Sequence, residues 1–211
     1  MSDAIAQLIA KYPDLAPVQK DIYDAYVKMK ESFEVGGKLL VCGNGGSSSD
    51  SDHIVGELMK GFLSKRPLPA NERERFSERF GEEGADLANL LQGSLPTIGL
   101  SSHAALVSAV ANDTDPSMVY AQQVYGYGKA NDILFGISTS GNSQNVIRAI
   151  QVAKVKGLAT IGLTGATGGR MKALCDIAIC VPYVSTPDVQ ERHLPIYHAL
   201  CIAIEEALFA S

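Results

Sequence analysis

Two groups of side chains in this 211-residue chain have types and spacings that could do chemistry. His53 and Glu57 lie four residues apart, and on a helix that spacing puts both on one face. Near the other end, Gln190 and His198 are eight residues apart, again one face of a helix. His193, three residues from Gln190, can share part of that face. A His/Glu pair and a Gln/His pair from two helices could form a four-ligand site for zinc or a similar divalent ion. A helical His–Glu hydrogen bond and a buried, satisfied histidine are commoner uses of such residues, and spacing alone leaves both open.

Two further stretches have the composition of anion cradles. Gly43-Asn44-Gly45-Gly46-Ser47 follows an apolar run and precedes a helical pattern. Glycines let the backbone approach a ligand closely, and a helix N-terminus turns free N–H groups and partial positive charge toward it. Ser138-Thr139-Ser140-Gly141-Asn142-Ser143 occupies the equivalent place in a later unit. Its hydroxyls and amides offer many donors without formal charge, which suits a phosphate monoester. Either loop alone is equally a generic tight turn; two at equivalent positions point to a ligand. Neither matches a dinucleotide-binding glycine turn or a Walker sequence.

The elements that must position these groups read as an alternation. Residues 4–11 and 16–35 read as helices separated by Pro13 and Pro17. The second has an apolar face of Val18, Ile22, Ala25, Tyr26, Met29 and Phe33. KLLVCGNGG reads as a strand running into a loop, and residues 47–62 as the helix after it. Strands are expected at 95–100, 132–138, 159–164 and 177–182, with helices at 104–111 and 143–156 and a short helical turn at 171–175. A long helix over about 188–209 closes the chain. This predicts an α/β fold: a five-stranded, mostly parallel sheet flanked by helices. Residues 64–94 break the pattern, mixing charge with a weak apolar stripe at Phe76, Phe80, Leu87, Leu90 and Leu91. They read as an inserted, solvated helical excursion within one domain spanning 1–211, with a lid or a subunit contact as the sharper alternative.

Composition narrows the function classes. Apolar residues make up 46% and charged residues 19%, and the net charge of −5 comes with no Lys/Arg-rich run. A nucleic-acid surface, which needs clustered basic residues, is not expected. Cys42, Cys175, Cys180 and Cys201 sit in apolar runs with no CxxC pairing, as small hydrophobes in a reducing compartment do. The N-terminus lacks the pattern of a signal peptide, and no apolar run approaches the ~20 residues needed to span a bilayer. The expectation is a cytoplasmic protein with no membrane partner.

CGNGGSSSDSDHIVGEL, ISTSGNSQNVIRAI and TPDVQERHLPIYHALC together resemble the bacterial phosphoheptose isomerases (sedoheptulose 7-phosphate isomerases) of the sugar-isomerase, or SIS, superfamily. The resemblance runs from the N-terminal helices to the last helix and fails mainly over 64–94. It implies a parallel sheet between helices and a homotetramer with active sites between subunits. It also implies aldose–ketose isomerisation of sedoheptulose 7-phosphate to D-glycero-D-manno-heptose 7-phosphate, a step toward lipopolysaccharide heptose. The implied sugar-phosphate contacts are Asn44, Gly45, Gly46, Ser47, Ser138, Thr139, Ser140 and Ser143, with the family's Asn-Asp pair at Asn112-Asp113 and Gln190 reaching the same ligand. Zinc is implied on His53, Glu57, Gln190 and His198, with Glu57 and His198 as the acid/base pair.

Departures from the family pattern are an acidic Asp52 directly before His53, Met59-Lys60-Gly61-Phe62 where Gly-Arg-Tyr or similar is usual, and a longer excursion. They bear on which sugar is bound, so an isomerase of another sugar phosphate stays open. So does a non-catalytic SIS module that binds the replication initiator or senses sugar phosphates. Glu57, Gln190 and His198 together favour an enzyme, since a pure adaptor has no need of acid/base groups facing a ligand.

Overall fold

Apolar runs of four to six residues make the strands, and longer stretches with helical periodicity make the covering layers. The computed structural model describes residues 3–209. It opens with α1 (Asp3–Lys11), a 3-10 turn (Pro13–Val18) and α2 (Gln19–Glu34). The sequence pattern carries the second helix back to residue 16. The structure starts it at Gln19, because Pro17 has no amide to donate and its ring crowds the preceding turn.

Strands β1 (Leu39–Cys42), β2 (Thr97–Gly99), β3 (Ile133–Ser138), β4 (Ala159–Thr164) and β5 (Ile177–Cys180) form one sheet in the order β2-β1-β3-β4-β5. Every neighbouring pair is parallel. Such a sheet must be covered on both faces, and the side chains divide accordingly. Leu39, Val41, Ile133, Phe135 and Ile137 join one apolar cluster with α1, α2, α3 (Gly46–Met59) and α9 (Thr186–Phe209). Leu40, Cys42 and Leu134 join a second with α5 (Ala104–Asp113), α6 (Val119–Tyr127), α7 (Gln144–Val155) and the short α8 (Met171–Leu174).

Helix α6 has no counterpart in the sequence pattern. Its residues, VYAQQVYGY, are β-branched, aromatic or glycine for the most part and favour a helix weakly. It forms because Val119, Tyr120 and Val124 are buried in the second cluster beside α7.

The excursion between α3 and β2 is helix α4 (Ala70–Leu90), interrupted at Gly81, where φ is +60°. The chain folds so sharply there that a Cβ on Gly84 would collide with the carbonyl of Phe76. Phe80, Leu87 and Leu90 are exposed on it. An antiparallel bridge between Pro67 and Gln92 closes its stem. Among the described residues no helix is long and apolar enough to cross a membrane. All four cysteines are free thiols, Cys42 and Cys201 buried and the other two partly so.

The order of the sheet fixes where a ligand can sit. The chain moves from β1 outward to β2, then returns to place β3 on the other side of β1. The carboxyl ends of β1 and β3 therefore flank the crevice where strand order reverses, the usual ligand site of open α/β sheets. The loop after β3 is braced by the loop after β4: Gly165 donates to the Thr139 carbonyl (3.0 Å) and Met171 to the Gly141 carbonyl (3.1 Å). Gly141 has φ +66°, and an added Cβ would strike the Gly168 carbonyl, whereas Gly36 (φ +77°) faces open space. Gly141→Ala is expected to lose about 1–3 kcal/mol from strain plus the collision. Gly36→Ala meets strain alone and loses less. Urea unfolding midpoints of the two variants check the order.

Candidate active site

The first cradle begins where β1 ends. Gly45 adopts φ +56° as the residue before α3, and the Asn44 and Gly45 carbonyls accept from Ser47 and Ser48 (3.1 and 3.0 Å) to start the helix. Asn44, Gly45 and Gly46 are exposed at this end, while Ser47 is buried. The second cradle follows β3. The hydroxyls of Ser138 and Ser143 lie 2.9 Å apart, and Asn142 turns back to donate to the Ser140 carbonyl (3.0 Å). Thr139 and Ser140 lie between them, and α7 points its N-terminus at the loop.

Two residues outside the motifs join the cradles into one wall. Asn145 and Asn44 exchange reciprocal amide hydrogen bonds, both 2.9 Å. Tyr120 of α6 donates to the Gly43 carbonyl (2.5 Å) and lies 3.1 Å from Asn44 Oδ1. Burial pushes the Tyr120 phenol up to about 12, so it stays a neutral donor. Arg170 adds a cation at the rim, its guanidinium 3.0 Å from Gln144 Oε1. The sequence pattern stops the hydroxyl-and-amide run at Ser143 and misses Asn145 two positions on; another amide so close to the run was the available signal. Tyr120 escaped as well, because its helix was not legible.

Beyond the first cradle, α3 and α9 run side by side. An added Cβ on Gly46 would lie 2.5 Å from Gln190 Nε2, so the Gln190 amide rests against the first cradle. Two turns further on, His53 Nε2 lies 3.1 Å from Glu57 Oε1 and 3.4 Å from His198 Nε2. Tyr197 OH holds the other His53 nitrogen at 3.0 Å and Asp50 Oδ1 at 3.2 Å. Asp50, His53 and Glu57 thus form one ridge of α3, at the i, i+3, i+7 spacing of a helix face. Glu57 is mostly buried, and its Oε2 has no hydrogen-bond partner; Lys60 Nζ stands 3.9 Å away.

Electrostatics follow from burial. Desolvation pushes the Tyr197 phenol and the Asp50 carboxyl above their ordinary values, the Asp50 shift opposed by its hydrogen bond to Tyr197. Desolvation, then the neighbouring His53, pulls His198 below the usual imidazole value against the opposing pull of Glu57. His193 does not join the group. It is fully buried, and burial pulls it down to about 4 against the opposing pull of the Thr164 backbone, so it is a neutral core residue. Asn112 and Asp113 are exposed at the end of α5 and hydrogen bonded to each other (2.7 Å).

The donor types fit a divalent ion: two imidazoles, a half-free carboxylate and a nearby amide. The 3.1 and 3.4 Å spacings resemble those between neighbouring ligands of a tetrahedral ion with bonds of about 2.0–2.2 Å. Yet the imidazoles touch one another directly and Gln190 turns to Gly46. Among the described residues no three His, Cys, Asp or Glu groups form a ready metal cage.

The SIS domain family model matches residues 74–165. A phosphoheptose isomerase of Pelobacter propionicus is 37% identical over 207 residues, covering 98% of this chain and 93% of that protein. One from Nitratiruptor is 40% identical over 186 residues, covering 88% and 86%. Among solved structures, a phosphoheptose isomerase from Francisella tularensis superposes with a TM-score of 0.77 at 31% identity, over 95% of this chain and 93% of that one. Sheet order, paired cradles and family model define a sugar-isomerase domain. Within that class, identity over nearly the whole length shows that the chain belongs to the phosphoheptose isomerase family.

Asn145→Ala removes both amide bonds between the cradles, each worth about 0.5–1.5 kcal/mol. The two together total about 1–3 kcal/mol, so sedoheptulose 7-phosphate should bind up to about 5- to 150-fold more weakly by calorimetry, at about 1.4 kcal/mol per tenfold. The far-UV circular dichroism should not change.

Proposed function

We propose that the chain interconverts sedoheptulose 7-phosphate and D-glycero-D-manno-heptose 7-phosphate, with the phosphate held by the two cradles and the reacting carbons between α3 and α9. The observation that carries this reading is the meeting of Glu57, His53 and His198 two helical turns from an uncharged phosphate wall. The half-free Glu57 carboxylate supports it as well, since a buried oxygen without a partner is a poor choice for structure alone.

In the open-chain ketose, Glu57 removes a proton from C1 and returns it to C2 through a cis-enediol. His198 moves the complementary proton between O1 and O2. Positioned proton transfer of this kind contributes about 10²–10⁴-fold in rate. Ser138, Thr139, Ser140 and Ser143 donate to the phosphate, joined by the backbone at Asn44–Ser47, so binding energy from the unreactive end fixes the reacting end. Tyr197, itself hydrogen bonded to Asp50, holds His53, and through it the edge of the Glu57 carboxylate. His53, Glu57 and His198, with Gln190 turned from Gly46, would hold Zn²⁺, which would polarise the two oxygens that exchange the proton.

The same proposal includes a homotetramer in the cytoplasm. Asn112-Asp113 is exposed at the end of α5, and Ala104, Ala105, Leu106 and Ala109 leave an exposed apolar face on the same helix. Both features support a neighbouring copy completing the site. Light scattering after size exclusion should give four times the 22.4 kDa chain mass; a monomer would remove this part.

Glu57→Gln keeps the shape and removes the base. Turnover of sedoheptulose 7-phosphate should fall by about 10²-fold or more, while calorimetric binding of the sugar phosphate persists. Activity at the wild-type level would remove Glu57 from this role. A chelator and added zinc, tested on the wild-type protein, show whether the metal takes part.

A further inference from the structure

Among the described residues, one salt bridge has both side chains almost wholly buried, and it lies at the far end of α3 and α9, between the loop after α3 and α9 itself. The Arg66 side chain is fully buried and that of Glu205 is 3% exposed, with Nε and Oε1 2.6 Å apart. Every arm of this pair has a partner. Arg66 Nη1 donates to the Leu58 carbonyl (2.8 Å) and Nη2 to the carbonyl of Glu57 itself (3.1 Å). Glu205 accepts from the backbone N–H groups of Phe62 (2.8 Å), Leu63 (2.8 Å) and Ser64 (3.1 Å). The Phe209 ring covers the guanidinium at 4.7 Å.

The contacts have a direction. The last carbonyls of a helix lack intrahelical donors and carry partial negative charge, so a guanidinium there both satisfies and attracts them. Arg66 does this at the last turn of α3, where Glu57 stands. Glu205 lies seven residues after His198 on α9, close to the same helical face. One ion pair therefore ties the backbone under Glu57 to the helix that carries His198. Arg66 also adopts φ +41°, one of two non-glycine residues among those described with positive φ. A strained backbone persists when its surroundings over-determine it. The Arg66 carbonyl accepts from Gly93 (2.6 Å), so the same residue closes the stem of the excursion. Buried ion pairs seldom add net stability over apolar packing, and a role in fixing geometry accounts better for this one.

We propose that Arg66 and Glu205 are positioning residues that set the register of α3 against α9 and so hold Glu57 and His198 at their working separation. The catalytic part of this rests on the isomerase reading above; the geometric part does not. The cradles lie at the opposite end of α3, so the pair acts on the chemical step and leaves phosphate binding alone.

Arg66→Lys is the sharpest test. Lysine retains a positive charge opposite Glu205 but is a point donor and cannot fork to both carbonyls. Displacement at the reacting groups should lower kcat by about 10- to 100-fold and leave KM for sedoheptulose 7-phosphate within about threefold. The chain has four histidines, so imidazole signals in ¹H–¹³C NMR give a second readout. His53 and His198 should shift in the variant while His103 does not. If the lysine variant does not fold, Glu205→Gln is measured in the same way. A folded variant with kcat within about twofold of wild type, or with KM raised and kcat unchanged, overturns the proposal. Should the wild-type protein turn over no sugar phosphate, the isomerase reading falls by itself. The NMR arm then decides the geometry: unshifted His53 and His198 signals overturn it, and shifted ones sustain it.

Discussion

The register between α3 and α9 is the constraint on which the rest of the site depends. The two helices touch at three levels along their length. At the first cradle Gln190 rests on Gly46; two turns on, His53 meets Tyr197 and His198; at the far end Glu205 meets Arg66, whose guanidinium caps the last carbonyls of α3. A slide of one helix by a single turn, about 5.4 Å, would break all three at once. Ile54, Leu58, Ile196 and Leu200 root both helices in the apolar cluster on one face of the sheet, so the polar contacts are built on packing that already resists such a slide.

Binding and chemistry are divided between different kinds of groups. The cradles use hydroxyls, amides and helix N-termini, which a chain of net charge −5 can offer to an anion without a basic patch. They sit at the carboxyl ends of β1 and β3 because the sheet reverses its strand order there. The ionisable groups stand two turns away, half-buried, where desolvation lowers His198 and raises Asp50 and Tyr197. That separation lets one end of a sugar phosphate be gripped while the other is worked on.

Much of this was legible from local pattern. Alternating apolar runs and helical stretches implied a parallel sheet, and the structure makes it parallel throughout. Both cradles stood out because glycine and hydroxyl residues collect where a strand turns into a helix. The His53–Glu57 spacing is a helix-surface property and needs no tertiary information. What escaped depends on distant partners. Helix α6 lacks propensity and is held by burial, so Tyr120 could not be placed under Asn44. The amide of Gln190 lies at Gly46 because of how α9 packs, which its spacing from His198 cannot show. Arg66 lies in a charged stretch with no pattern, and its burial depends on partners from α9, Glu205 (139 residues away) and Phe209.

The central claim is that one ligand spans both regions. A crystal structure with sedoheptulose 7-phosphate bound tests it most directly. The account predicts the phosphate on the loop from Ser138 to Ser143 beside Asn44–Ser47, with C1 and C2 within hydrogen-bond reach of Glu57 and His198. A phosphate seated on any other surface, or reacting carbons remote from both side chains, would contradict it.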